Sequence, residues 1–414
     1  MDSVQYTTLV DVLKQVPDPR NRKGRRHRLV TVLSLIAAAM ASAQRTPQAI
    51  ARWIGAHRLE VLAALPPSVS RLPCASTIRR ILALVDVACL EQALAAFAPA
   101  APSPAPQAEG ARMSTLLAPP PTAPAPAFEE GTRPDAPPVL QGLALDGKAI
   151  RGVGRDGHPC HLVSLVEHGS ARVLGQVAVE KKRDERSAVP TLLEGRDLTN
   201  TIITLDALHT LRPTARLIRS QGGHFLMIVK KNQAALYAYL ELLFRLPPHP
   251  ADHEVWDTVG PKSEKGHGRL ETRTLTCGNA HIEDVDWPHV QQVVRRECER
   301  SILKTGKRTS EVSYGLVSLR PDEGGAAVVE GFWRGHWTIE NSLHYVRDVT
   351  FGEDAGHAGQ GATAHVLAAL RNGLLHLFRQ TRWTSVPDAL AHYGASVVRA
   401  FTLIGLTSDL NVKT

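Results

Sequence analysis

Through the first 98 residues, apolar side chains recur every three or four positions, the spacing that gathers them on one face of a helix. Leu9 to Val16 is amphipathic, Leu29 to Ser42 is apolar and alanine-rich, and Pro47 to Gly55 follows Thr46, a residue type that caps helix N-termini. Pro73 to Leu84 offers Ser76 or Thr77 as a cap, then an amphipathic helix with Arg79 and Arg80 near its start. The pattern vanishes between Pro99 and Pro138, where 12 of the 28 prolines are interleaved with alanine and serine. That composition is a linker's.

Beyond the linker the period changes to two. Leu140 to Leu145, Cys160 to Val166 and Ala171 to Val179 read as a three-stranded antiparallel meander. A helix is expected at Ser187 to Glu194 with Ser187 as its cap, then a buried strand Thr201 to Leu205, a helix near Thr210 to Gln221, a strand Gly223 to Val229 and a helix Ala234 to Leu243. Three strands followed by alternating helix and strand describe an α/β fold, a mixed sheet with helices on both faces, in the order of a ribonuclease H-like domain. Short strands from Val255 to Leu319 predict a β-rich insertion over about 250–325, and helical character returns at Phe332 to Tyr345 and Thr363 to Arg379. The expected division is a helical unit 1–98, a linker 99–138, a ribonuclease H-like domain 139–385 and a helical tail 386–414.

Charge adds a partner class. Lys and Arg number 48 against 40 Asp and Glu, a formal +8 that favours polyanions. Arg20, Arg22, Lys23, Arg25, Arg26 and Arg28 fall within nine residues, a cluster suited to phosphate contact, though such runs are also found merely solvated. Arg79 and Arg80 suit a helix presenting its first turn to DNA, and an ordinary core helix fits them equally. Aromatics are only 5%, which argues against base stacking as the main mode of binding. The five cysteines are scattered without zinc-like spacing, which fits a reducing cytoplasm. No signal core is apparent, and the apolar run Val30 to Ala43 is too short to span a bilayer.

Candidate chemistry sits at three carboxylates. Asp146 is expected to terminate one apolar strand and Asp206 another. Either alone serves as well for capping the following turn, but two on neighbouring buried strands repel unless a cation lies between them. Glu340 shares a helix face with His336 and His344, and Arg347 comes one turn further. A solvated stripe or a zinc site is the alternative there, although His-x-x-x-Glu-x-x-x-His is not the spacing of known zinc proteases. Glu353 and Asp354 stand in reserve as the third ligand.

Several long motifs carry a resemblance. Leu-Asp-Gly-Lys-Ala-Ile-Arg-Gly, Thr-Leu-Asp-Ala-Leu-His-Thr, Phe-Leu-Met-Ile-Val-Lys-Lys-Asn-Gln, and His-Trp-Thr-Ile-Glu-Asn-Ser-Leu-His followed by Asp-Val-Thr-Phe-Gly-Glu-Asp resemble bacterial insertion-sequence transposases of the ISAs group. Val16-Pro-Asp-Pro-Arg20 and the helices after it look like the associated domain that precedes the catalytic one in that group. The resemblance implies a ribonuclease H-like core with Asp146, Asp206 and Glu340 as ligands for two Mg²⁺ or Mn²⁺ ions, which would drive cleavage at element ends and strand transfer into target DNA. Related transposases carry Tyr-x-x-Arg-x-x-x-Glu-x-x-x-x-x-x-Lys on the glutamate helix, and this chain departs from it with Trp333, His336 and Arg347 at those spacings. Lys230, Lys231, Arg334, His336 and Arg347 are further candidates for guiding the DNA backbone, and a homodimer would hold two element ends. The rival readings are a nuclease of the same fold that only hydrolyses, and an inactive copy that binds DNA.

Overall fold

The computed structural model describes residues 8–97, 140–151, 160–181, 184–245, 256–266, 268–279, 282–355 and 362–406. The linker expected at 99–138, the start of the insertion at 250–255 and the last eight residues of the expected tail lie outside them. Six helices come first: α1 (Leu9–Lys14), α2 (Leu29–Ala41), α3 (Pro47–Ala56), α4 (Arg58–Ala63), α5 (Ala75–Leu84) and α6 (Val87–Ala95). Thr46 caps α3 as expected, accepting from the Ala49 N–H. Neither Ser76 nor Thr77 caps α5. The chain turns helical earlier, at Ala75, so both hydroxyls fall inside the first turn and Cys74 holds the cap position.

Strands β1 (Gln141–Ile150), β2 (Cys160–Glu167) and β3 (Val173–Val179) form the meander. They are followed by α7 (Glu185–Leu193), β4 (Thr201–Leu205), α8 (Arg212–Ser220), β5 (His224–Val229) and α9 (Ala234–Leu243). Helix α7 begins two residues before Ser187, whose hydroxyl donates back to the Asp184 carbonyl instead of capping. β4 lies parallel to β1 and β5 parallel to β4, which gives the ribonuclease H-like order β3-β2-β1-β4-β5.

The β-rich region adds β6 (Trp256–Gly266), β7 (Arg269–Gly278), β8 (Gln292–Ile302) and β9 (Arg308–Val317). These strands are longer than expected, and they do not form a separate sheet. β9 pairs with β5, so one nine-stranded sheet runs β3-β2-β1-β4-β5-β9-β8-β7-β6. The backbone hydrogen bonds of β5's outer edge are satisfied in this way, where an uncovered edge would invite aggregation.

Three apolar clusters fix the layers. On one face of β1 and β2, Ala144, Ile150, Leu162 and Val166 pack with the N-terminal helices, with α12 (Thr363–Gln380), α13 (Val386–Gly394) and α14 (Val397–Ile404), and with Ile339 and Leu343 beside Glu340. On the other, Leu143, Leu145, Ile203 and Leu205 meet α7, α8 and α9. A third holds Ile202, Leu226 and Val317 against α10 (Ala326–Gly335). No helix among the described residues is long and apolar enough to cross a membrane.

Candidate active site

Strand alternation aims the first two carboxylates. Leu143 and Leu145 face α7, so Ala144 and Asp146 face the other way; Ile203 and Leu205 likewise leave Thr204 and Asp206 on that second face. The parallel β1–β4 register ends at Leu145↔Leu205, and each Asp is the next residue. Asp146 does not terminate β1, however. The strand continues to Ile150, paired with β2 alone, because β4 has ended and the β2 partner persists to Cys160. Asp206 also does the capping its residue type suggested: its Oδ1 accepts the N–H groups of Leu208 and His209 at 2.9 and 3.2 Å.

Glu340 arrives from the helical side. After α10 and the short α11 (Trp337–Ile339), the backbone widens into π-helical turns at Glu340–His344 and Val346–Thr350, where a regular α-helix was expected. π-Turns of this kind are frequent at functional sites. His344 stays against Glu340 despite the wider turn: its Nδ1 lies 3.6 Å from Glu340 Oε2 and 3.8 Å from Asp146 Oδ2.

Ligand-type atoms thus gather in two groups, Asp146 with Asp206 and His209, and Asp146 with Glu340 and His344, each within 4.8 Å. Burial, and then the charge of Asp206, push the Asp146 carboxyl up to about 8, while the His344 contact holds Glu340 well below the usual carboxylate range. Crowded hard oxygens that cannot all ionise are a donor set suited to a divalent cation.

His209 and Glu185 are functional candidates that the sequence reading missed. His209 is fully buried, and Glu185 comes from the opposite face of the sheet on α7. Glu185 fits against β1 only because residue 147 is glycine, since a Cβ there would stand 2.4 Å from the carboxyl carbon. His209 follows Asp206 closely in sequence, but nothing in the sequence ties Glu185 to either of them.

The remaining expected site residues divide by burial. Arg22, Lys23, Arg26 and Arg28 are exposed, as are Arg79 and Arg80 on α5 and Lys230 and Lys231 directly after β5, the strand beside Asp206. Arg25 is exposed, but it donates to the carbonyls of Arg20 and Asp18. Arg20 itself is buried, clamped between Asp18 and the His27 carbonyl, so it braces the basic loop instead of meeting phosphate. His336 is buried against Thr204 Oγ1 at 3.0 Å and holds the glutamate helix to β4, out of reach of DNA. Arg347 has no exposure at all. Glu353 and Gln176 take its guanidinium, which rules out a phosphate contact and equally removes Glu353 from service as a metal ligand. Asp354 is engaged with Lys148 and the Arg151 N–H.

Arg334 is bound by Glu264 through two bonds of 2.7 and 3.0 Å. With Arg273, Arg296, Trp337, Asn341 and Ser342 it lines a cleft of about 230 Å³ on the helix that carries Glu340.

The family model described as "Transposase DDE domain" matches residues 137–376, and the one described as "DDE_Tnp_1-associated" matches residues 10–98. The chain is 26% identical over 385 residues to "Putative transposase YncI" of Escherichia coli O157:H7, covering 91% of this chain and 88% of that protein. It is 30% identical over 242 residues to "H repeat-associated putative transposase YhhI" of Escherichia coli strain K12, covering 56% of this chain and 62% of the relative.

Proposed function

Because this chain belongs to the transposase DDE family, whose members are metal-dependent DNA-cleaving enzymes, we propose that Asp146, Asp206 and Glu340 hold two divalent cations, Mg²⁺ or Mn²⁺, and that the protein cuts double-stranded DNA at the ends of its own element and joins them to a target. One observation carries the reading. Three carboxylates from distant parts of the sequence converge where β1 and β4 part, and Asp146 keeps its proton to about pH 8 there, chiefly through burial and then through the charge of Asp206. Bound cations supply Lewis-acid activation of the attacking oxygen and neutralise charge on the leaving one.

The chain's own groups do the rest. Asp146 is common to both ligand groups and would be shared between the two ions. His336 ties the glutamate helix to Thr204, and Ile339 and Leu343 anchor it in the core, so Glu340 is delivered from a rigid support. The exposed cations Arg22, Lys23, Arg26, Arg28, Arg79, Arg80, Lys230 and Lys231 take the phosphate backbone, a sequence-independent attraction. Two element ends are held by two copies of the chain.

The test uses purified full-length protein and labelled DNA carrying the element's ends, with Mg²⁺, with EDTA, and with Glu340→Gln. Metal-dependent nicks and joined products that vanish in the variant are expected. Nicks without joining would make the protein a hydrolytic nuclease, and binding without chemistry would overturn the reading altogether.

A further inference from the structure

Asp146 has an imidazole on each flank. His209 completes one ligand group with Asp146 and Asp206, and His344 completes the other with Asp146 and Glu340. Both rings are buried, His209 at 0% exposure and His344 at 6%. Neither nitrogen of His209 has a hydrogen-bond partner among the described residues, and Nε2 of His344 has none. Buried polar atoms are nearly always paired, because leaving one without a partner costs its lost hydration. His336, close by, shows how a structural histidine behaves here: its Nδ1 is matched to Thr204 Oγ1.

Resting on the carboxylate site proposed above, we infer that His209 and His344 are nitrogen ligands of its cations, one for each ligand group. His209 stands close to a second buried carboxylate, a small shift away from hydrogen bonding. Its Nε2 lies 3.8 Å from Oε2 of the buried Glu185, and a ring nitrogen lies within 4.8 Å of the Asp146 and Asp206 oxygens. A carboxylate behind the imidazole fixes the tautomer and raises the basicity of the other nitrogen. Gly147 leaves the room that Glu185 occupies. On the helical side, His344 Nδ1 already lies between the oxygens of Asp146 and Glu340.

The consequence is a choice of metal. Carboxylate and water ligands suit Mg²⁺ and Mn²⁺ alike, whereas imidazole suits first-row transition ions, so nitrogen on both flanks should shift the site away from Mg²⁺ and toward a transition ion, of which Mn²⁺ is the one that also accepts the carboxylates. Glu185→Gln keeps the shape but loses the anion behind His209, and should weaken Mn²⁺ binding by roughly 10- to 100-fold.

Pulsed electron paramagnetic resonance of Mn²⁺ bound to the full-length protein, without DNA, reads the ligands directly. Nitrogen-14 modulation from coordinated imidazole is expected in the natural protein, diminished in His209→Asn and in His344→Asn, and absent from the double variant. Asp146→Asn should abolish binding. Mn²⁺ that binds, depends on Asp146 and shows no nitrogen coupling would overturn the histidine ligands and leave the carboxylate site standing. Failure of the natural protein to bind Mn²⁺ at all would overturn both. The spectrum of the natural protein decides between these outcomes even if a variant fails to fold.

Discussion

The Arg347 guanidinium lies 2.7 Å from the Glu353 carboxylate, and both side chains are withdrawn from water. Arg371 binds the same carboxylate at 2.8 Å, and Arg347 donates to Gln176 as well. Taking away Glu353 strands two buried cations, so Glu353→Ala should cost about 3–5 kcal/mol of folding stability, and Glu353→Gln nearly as much, since shape without charge leaves the cations unpaired. Urea denaturation measures the loss. A midpoint unchanged in Glu353→Gln would mean that the cluster does not hold the glutamate helix to α12.

A half-buried histidine and a buried one set a dependence on pH. His168 is lowered to about 4 by burial and then by the nearby His336, and His376 to about 4 by burial and then by Arg172 and Arg379. Folded values below the unfolded value of about 6.5 mean that the unfolded chain binds more protons in between. Stability is therefore full above about pH 6.5 and drains as pH falls toward about 4, by at most about 1.4 kcal/mol per pH unit for each ring, less with residual solvent access. Urea midpoints followed across that window should fall in the natural protein and fall less steeply in His168→Gln. A flat profile would mean that neither ring is withdrawn from water far enough to lose its proton on folding.

The sequence was informative where side-chain alternation and backbone state agree. The meander, β4 and β5 announce themselves because one face or both are buried, and Asp206 stands out as the first charged residue after a wholly buried strand. Asp146 looked like a strand end because Asp-Gly is a turn signal, yet β2 keeps the backbone extended through it. β6 falls inside the strand-rich stretch expected from Val255, but it contains Gly260 and Pro261 and buries little, so no alternation marks its bounds. Arg20 and Arg347 looked like phosphate contacts because burial of a guanidinium depends on partners, Asp18 and Glu353, that only the fold identifies. His209 and Glu185 were hidden for the same reason.

The carboxylate cluster should itself lower the stability of the metal-free protein. Asp146 is raised to about 8 by burial and then by the charge of Asp206, so removing that charge relieves the strain. Asp206→Asn keeps an oxygen to accept from the Leu208 and His209 N–H groups. The variant should be more stable than the natural protein by roughly 1 kcal/mol, the usual gain when an active-site conflict is removed. Thermal melts with and without Mn²⁺ test both halves of the idea: the ion should raise the Tm of the natural protein and leave that of the variant unmoved. A variant that melts lower than the natural protein would show that the carboxylates do not oppose one another.

Glu264 stands between the cleft arginines and any phosphate. Its carboxylate binds Arg334 through both oxygens and approaches Arg273 to 2.6 Å, and those contacts hold the Glu264 carboxyl below the usual range. A DNA phosphate entering beside Trp337 would have to displace this internal anion. Glu264→Gln removes the competing charge, so it should tighten binding to double-stranded DNA and steepen the plot of log affinity against log salt by about one, the increment for one more neutralised phosphate. Fluorescence anisotropy over a series of salt concentrations reads both, and adding Arg334→Ala should return the slope to its original value. If Glu264→Gln leaves the slope where it was, the cleft takes no phosphate, and the exposed cations of the N-terminal helices and of Lys230 and Lys231 account for the electrostatic grip on their own.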